Sequence, residues 1–202
     1  APYTPGYQPV TKTLFIWPTA SASIVFTYNA LPFVIYTICL CIIITVENIS
    51  HFYINTIIKD KVNTIIMLLK KRQNERGIIF CRTKAGTQKL TKQLHSKGFA
   101  VGALEGDMQQ KERDKVMRAF RNESLQILVS TDVSARGIDV NNLSFVLHHQ
   151  LPEHLEYYTH RSGRTARAGK TGQSIALIIS GEMKKVLDIQ RALGIRFKEM
   201  TM

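Results

Sequence analysis

The chain has 202 residues, enough for one full domain with an appendage, and 45% apolar with 21% charged residues excludes a disordered polyelectrolyte. A formal net charge of +12 and a pI near 9.8 point to polyanionic partners, either nucleic acid or an anionic membrane surface. Three cysteines, Cys39, Cys41 and Cys81, with no C-x-x-C pair, argue against a disulfide framework or a zinc knuckle and for a reducing compartment, the cytoplasm.

The charge is unevenly placed. Lys12 is the only charged residue in 1–46, so residues 47–202 carry +11 and the chain divides at Val46-Glu47. Residues 1–46 are expected to be an apolar N-terminal appendage of unassigned fold. The run from Ile24 to Val46 is long enough to cross a bilayer, which takes about 20 apolar residues. Asn29, Pro32, the many β-branched residues and the missing basic flank argue against a membrane helix. Buried strands of a larger parent protein, or a sequence with no evolved fold, are the competing readings, and a membrane span is the minority one.

From residue 47 on, strands and helices alternate. Ile49–Ile57 is β-branched and aromatic, a strand. Val62, Ile65, Ile66 and Leu69 then follow helical spacing after Asp60, and the helix runs out in Lys70, Lys71 and Arg72. Short apolar runs at 77–81, 99–104, 125–131, 143–149 and 173–180 read as buried strands. Helices are expected over 84–97, 109–121, about 153–165 and 182–193. Such alternation implies right-handed crossovers and a mostly parallel sheet with helices on both faces. In such sheets ligands bind beyond the carboxyl ends of the strands. Thr83, Gly106, Asp107, Thr131 and Asp132, each just after a strand, should therefore converge.

The stretch HRSGRTARAGKTG, His160–Gly172, ends in Gly169-Lys170-Thr171 and resembles the tail of a P-loop. A P-loop needs glycine five residues before Gly169, where Arg164 stands, and needs a strand before and a helix after. Both spacing and context fail. The alternative is a comb of Arg161, Arg164 and Arg167 on one helical face, unfavourable unless an anion compensates it. His148, His149, His154 and His160 lack the carboxylate or thiolate that would complete a metal site, so no metal is expected. Cys81 reads as a core thiol.

Ser130–Val140 (STDVSARGIDV) and His160–Gly169 (HRSGRTARAG) resemble motifs V and VI of the DEAD-box RNA helicases of superfamily 2. Phe80–Thr83 (FCRT) resembles motif IV, and Gln110-Lys111-Glu112-Arg113 the Q-x-x-R element. The likeness spans about residues 49–196 in the family's order. It implies a RecA-like α/β fold for 47–202, the second of the family's two RecA-like domains. By resemblance, Arg164 and Arg167 are arginine fingers on the γ-phosphate of ATP, and Asp139 binds its ribose. Magnesium would be held by the first domain. Thr83, Gly106, Arg113 and Thr131 would form the RNA contacts, and Arg136 and His160 the interdomain coupling. Partners are then RNA and a helicase N-terminal RecA-like domain in cis or trans.

Two departures stand out. Glu105 replaces the family's usual His, and Ala166 its usual Gly. No P-loop, Asp-Glu-Ala-Asp or Ser-Ala-Thr motif occurs in the 202 residues, so the chain alone is expected to be inactive as an ATPase. Two functions follow. One is the C-terminal domain of an ATP-dependent RNA helicase; the other is a non-catalytic RNA-binding or regulatory module from a truncated helicase gene.

Overall fold

The computed structural model describes residues 48–135, 143–166 and 170–201. The N-terminal appendage, Arg136, Asp139 and Arg167 lie outside the described residues.

Seven strands form one sheet: β1 Ile49–Asn55, β2 Gly77–Phe80, β3 Val101–Leu104, β4 Ile127–Ser130, β5 Phe145–His148, β6 Gly172–Ile178 and β7 Phe197–Glu199. Their order is β3-β4-β2-β5-β6-β1-β7, and every pairing is parallel. The helices are α1 Lys61–Lys70, α2 Lys84–His95, α3 Gln110–Arg121, the single turn α4 Asp132–Ala135, α5 Leu155–Ser162 and α6 Met183–Leu193, with a 3-10 turn at Ile58–Asp60. This is the RecA-like α/β fold expected from the sequence.

Period-two alternation along the strands assigns the helices to faces. Ile79, Phe145, Leu147, Ile175 and Leu177 pack with Ile65, Leu68 and Leu69 of α1 and Leu90 and Leu94 of α2. Their neighbours Ile78, Phe80, Leu128 and Val146 point the other way, against Met117 and Phe120 of α3. Further along that second face, Ala176 and Ile178 meet Tyr158 of α5 and Val186 and Ile189 of α6. Each central strand is therefore buried on both sides, which is why it reads as an unbroken apolar run.

Local chemistry sets the element ends. Thr83, extended at φ −125 and ψ 154, caps α2, its Oγ1 accepting from the Gly86 N–H at 3.1 Å. Gly194 stops α6 in the left-handed region at φ 65. Glu123 follows the end of α3 at φ 65, where a side chain is strained. Gly77 opens β2 beneath the Phe145 ring, which a Cβ would overlap.

Four differences from the sequence expectations have physical causes. β1 stops at Asn55 because the chain turns into the 3-10 segment, leaving Ile57 and Ile58 exposed. β7 has only three residues, two of them charged, and forms through Met200 N–H to Tyr53 O at 2.8 Å and Asn55 Nδ2 to Glu199 Oε1 at 2.7 Å. The turn α4 is too short to show periodicity. Finally, α5 ends at Ser162 rather than near 165, with Gly163 as its C-cap.

Candidate functional site

The strand order puts the carboxyl ends of β3, β4, β2 and β5 side by side, and the loops leaving them build two adjoining groups.

The first group lies beyond β3, β4 and β2. Thr131 Oγ1 lies 2.8 Å from Ser134 Oγ, and Arg113 Nη2 donates to Ser134 O at 2.7 Å, tying α3 to α4. Gly106 is exposed; a Cβ there would come within 3.9 Å of both Lys84 Cε and Ser134 Oγ. Lys84 pairs with Asp107 at the lip. Glu105, the acidic departure, is taken up by Gln88 Nε2 at 2.7 Å. Thr83 is exposed at the head of α2. Thr83, Gly106, Asp107, Thr131 and Asp132 are thus brought to one edge, as their position after strands predicts, and Arg113 joins them from α3. Thr131 is mostly buried, with its hydroxyl engaged by Ser134.

The second group surrounds a cleft of about 290 Å³ lined by Phe80, Asp132, Ala135, Tyr157, His160, Arg161 and Arg164. His160 is exposed on α5, and Arg164 is half-buried, its Nη2 donating to Ala135 O at 3.3 Å. The expected comb is not a helical face. Because α5 ends at Ser162, Arg164 sits past the helix, while Arg161 turns inward with 3% exposure. Its Nε and Nη2 donate to Asp132 Oδ1 at 2.5 Å and Oδ2 at 2.6 Å. Its Nη1 donates to Gln150 O at 2.9 Å, and the guanidinium lies 5.0 Å from the Phe80 ring centre. Like-charge crowding along the cleft is relieved by neutralising one arginine: Arg161 is paired with Asp132, and Arg164 stands beyond the helix end. The post-strand position of Asp132 marks it as a site candidate, but nothing in the sequence signals that Arg161 is its partner.

Several buried groups shape the electrostatics. Lys61 Nζ donates to His149 O at 2.9 Å and Leu177 O at 3.2 Å and lies 3.9 Å from Glu182 Oε2. Burial pulls its ammonium pKa down, and Glu182 partly restores it. Burial, then the positive charge of Arg161, holds the His148 imidazole well below the ordinary value. Burial, then Lys61, lowers His149. Burial pushes the Cys81 thiol up to about 12. Among the described residues, no three His, Cys, Asp or Glu side chains are placed to hold a metal ion, and no helix is long and apolar enough to cross a membrane.

The profile of the helicase conserved C-terminal domain matches residues 60–169, more than half of the chain. The chain belongs to that family, in its DEAD-box branch. It is 40% identical over 153 residues to a probable ATP-dependent RNA helicase of Methanocaldococcus jannaschii, covering 76% of this chain and 41% of that protein. Among solved structures, the C-terminal domain of the DEAD-box protein Dbp5 matches with a TM-score of 0.71 and 32% identity, over 76% of this chain and 91% of that one. S. cerevisiae Dbp5 bound to RNA and ADP BeF3 matches equally well, TM-score 0.71 and 32% identity, over 77% of this chain and 42% of that one. This DEAD-box C-terminal domain therefore spans about two fifths of the length of the curated relatives it resembles.

Proposed function

We propose that this chain is the half of an ATP-dependent RNA helicase that completes an ATPase site held mainly by another RecA-like domain, while gripping the RNA backbone. One observation carries the reading: two donor-rich groups adjoin at the carboxyl edge of one parallel sheet and are joined by the Arg161–Asp132 pair.

In this reading Arg164 and Arg167 reach the γ-phosphate of ATP, and Asp139 holds the ribose. The cleft suits a phosphate: Arg164 is a donor-only guanidinium, and Asp132, the one carboxylate among the described residues lining it, is occupied by Arg161. Magnesium would sit on the partner domain, and ATP supplies the scissile phosphoanhydride when bound. A finger from a separate domain stabilises developing charge only when the domains close, which makes hydrolysis conditional on closure. Arg136 and His160 would carry that closure. Thr83, Gly106, Arg113 and Thr131 would follow the RNA phosphates without reading bases. Contacts to RNA phosphates imply binding that weakens with salt. We place the working chain in the cytoplasm, as the three cysteines without a C-x-x-C pair favour, with the domain boundary at 46/47.

The test is complementation: the chain is mixed with a separately produced helicase N-terminal RecA-like domain, ATP and RNA. RNA-stimulated hydrolysis should appear only in the mixture, and Arg164→Ala or Arg167→Ala should lower it at least about 10³-fold. Hydrolysis indifferent to both substitutions would remove the finger assignment. RNA binding with no hydrolysis in any mixture would instead favour the non-catalytic module, to which the net charge of +12 is equally suited.

A further inference from the structure

Behind the cleft, leading away from Arg161, runs a buried chain of polar side chains that none of the roles above uses. Arg161 Nη1 lies 3.4 Å from His148 Nδ1, and His148 Nε2 lies 3.0 Å from Ser174 Oγ. Ser174 Oγ is 2.9 Å from Ser162 Oγ and 3.2 Å from Tyr158 Oη. Tyr158 Oη is 2.6 Å from His51 Nδ1. All six side chains are buried, and they connect β1, β5, β6 and α5 across the sheet's second face.

Arginine fixes the direction of donation in this chain. A guanidinium only donates, so His148 Nδ1 must accept, and the ring proton then sits on Nε2 and is donated to Ser174. Protonating the ring would set donor against donor. The burial and neighbouring charge that keep His148 neutral also keep it an acceptor. Its ring is stacked on Tyr158, with centroids 4.9 Å apart and planes within 16°, so it cannot turn away without opening the contact between α5 and the sheet.

We propose that His148 is a positioning residue: it backs the Arg161 guanidinium so that both forks of that side chain meet Asp132. Asp132 alone would let the guanidinium pivot about the carboxylate. Acceptors on the opposite edge, Gln150 O and His148 Nδ1, fix its plane. Arg161 stands three residues before Arg164, and Asp132 directly follows Thr131. The pair therefore sets the spacing between the nucleotide-facing and RNA-facing groups, a consequence that rests on the proposed function, whereas the positioning of Arg161 does not.

Two near-isosteric variants test it in the full chain. His148→Asn puts an amide oxygen near the position of Nδ1, whereas His148→Gln places its amide near Nε2 and leaves Arg161 without that acceptor. NMR of the ¹⁵N-labelled native chain should show a neutral Nε2–H ring at pH 6.5 and a slowly exchanging Arg161 Nε–H. Exchange should stay close to native in His148→Asn and quicken about tenfold or more in His148→Gln, the scale of one lost hydrogen bond. An Nδ1–H ring, or equal exchange in the two variants, overturns the proposal. In the complementation assay, His148→Gln should lower kcat with little change in KM for ATP, and His148→Asn should restore it. If exchange divides the variants and kcat does not, Arg161 is positioned by His148 but does not link the two halves, so the catalytic consequence falls. If no mixture turns over, the proposed function fails and the exchange result alone decides the positioning role.

Discussion

Arg161 and Asp132, 29 residues apart in sequence, meet edge to edge through two hydrogen bonds of 2.5 and 2.6 Å. Asp132 begins the turn after β4 and Arg161 lies in the last turn of α5, so the pair closes the chain between two segments that each carry candidate ligand contacts. Removing Asp132 leaves a guanidinium with 3% exposure without its counter-charge. Asp132→Ala should therefore cost about 3 kcal/mol, the low end for breaking a buried pair because Asp132 is itself a quarter exposed. Urea unfolding of the two proteins measures this, and a loss under ~1 kcal/mol would show the pair to be solvated.

Glu123 at φ 65 holds a conformation that glycine adopts without a Cβ penalty. Its ion pair with Arg76, at 3.7 Å, is exposed on the Glu123 side and weak. Glu123→Gly should raise stability by about 0.5–1 kcal/mol, relief of backbone strain outweighing the added freedom of the unfolded chain. A lower denaturation midpoint for the variant would contradict the strain.

His148 and His149 both have folded-state pKa values below the ordinary 6.5. Between the folded and unfolded values the unfolded chain binds more protons, so stability rises with pH there. The stability is fully present above pH 6.5 and is lost as pH falls below it, by at most about 1.4 kcal/mol per pH unit for each histidine. Thermal unfolding followed from pH 8 to pH 5 should show that slope, and His148→Asn should reduce it. A midpoint flat across this range would mean that neither ring is held neutral.

Cys81 is buried in the core with its thiol raised to about 12, so the thiolate that reacts is scarce and shielded. Iodoacetamide at pH 8 should leave Cys81 unmodified in the folded chain and label it once the chain is unfolded in urea. Peptide mass mapping separates it from Cys39 and Cys41. Rapid native labelling at Cys81 would mean that β2 opens readily.

The strands β1 to β6 lie within two residues of the stretches that announce them; for the central strands β2, β4 and β5 the reason is that burial on both faces demands apolar residues. The motif-bearing segments were legible for a related reason. Thr83, Gly106 and Thr131 stand out because the apolar run of each strand breaks off just before them, although Thr83 also caps α2 and Thr131 bonds Ser134. β7 escaped notice because an edge strand of Phe-Lys-Glu needs only one apolar side chain. The turn α4 escaped because four residues carry no period.

What the sequence determined by itself, through periodicity and residue type, is the parallel α/β domain, its order of elements and the edge on which its polar residues gather. Whether a given arginine faces solvent, a ligand or a carboxylate is decided only in three dimensions. Arg161 and Arg164 are identical in type, three residues apart and both on the cleft wall, yet Arg161 is buried and neutralised by Asp132 whereas Arg164 is half-buried at the cleft. The helix stops between them, and the partner that captures the first arrives from another strand. Local spacing reports neither event, because charge pairing depends on distance in space and not on separation along the chain.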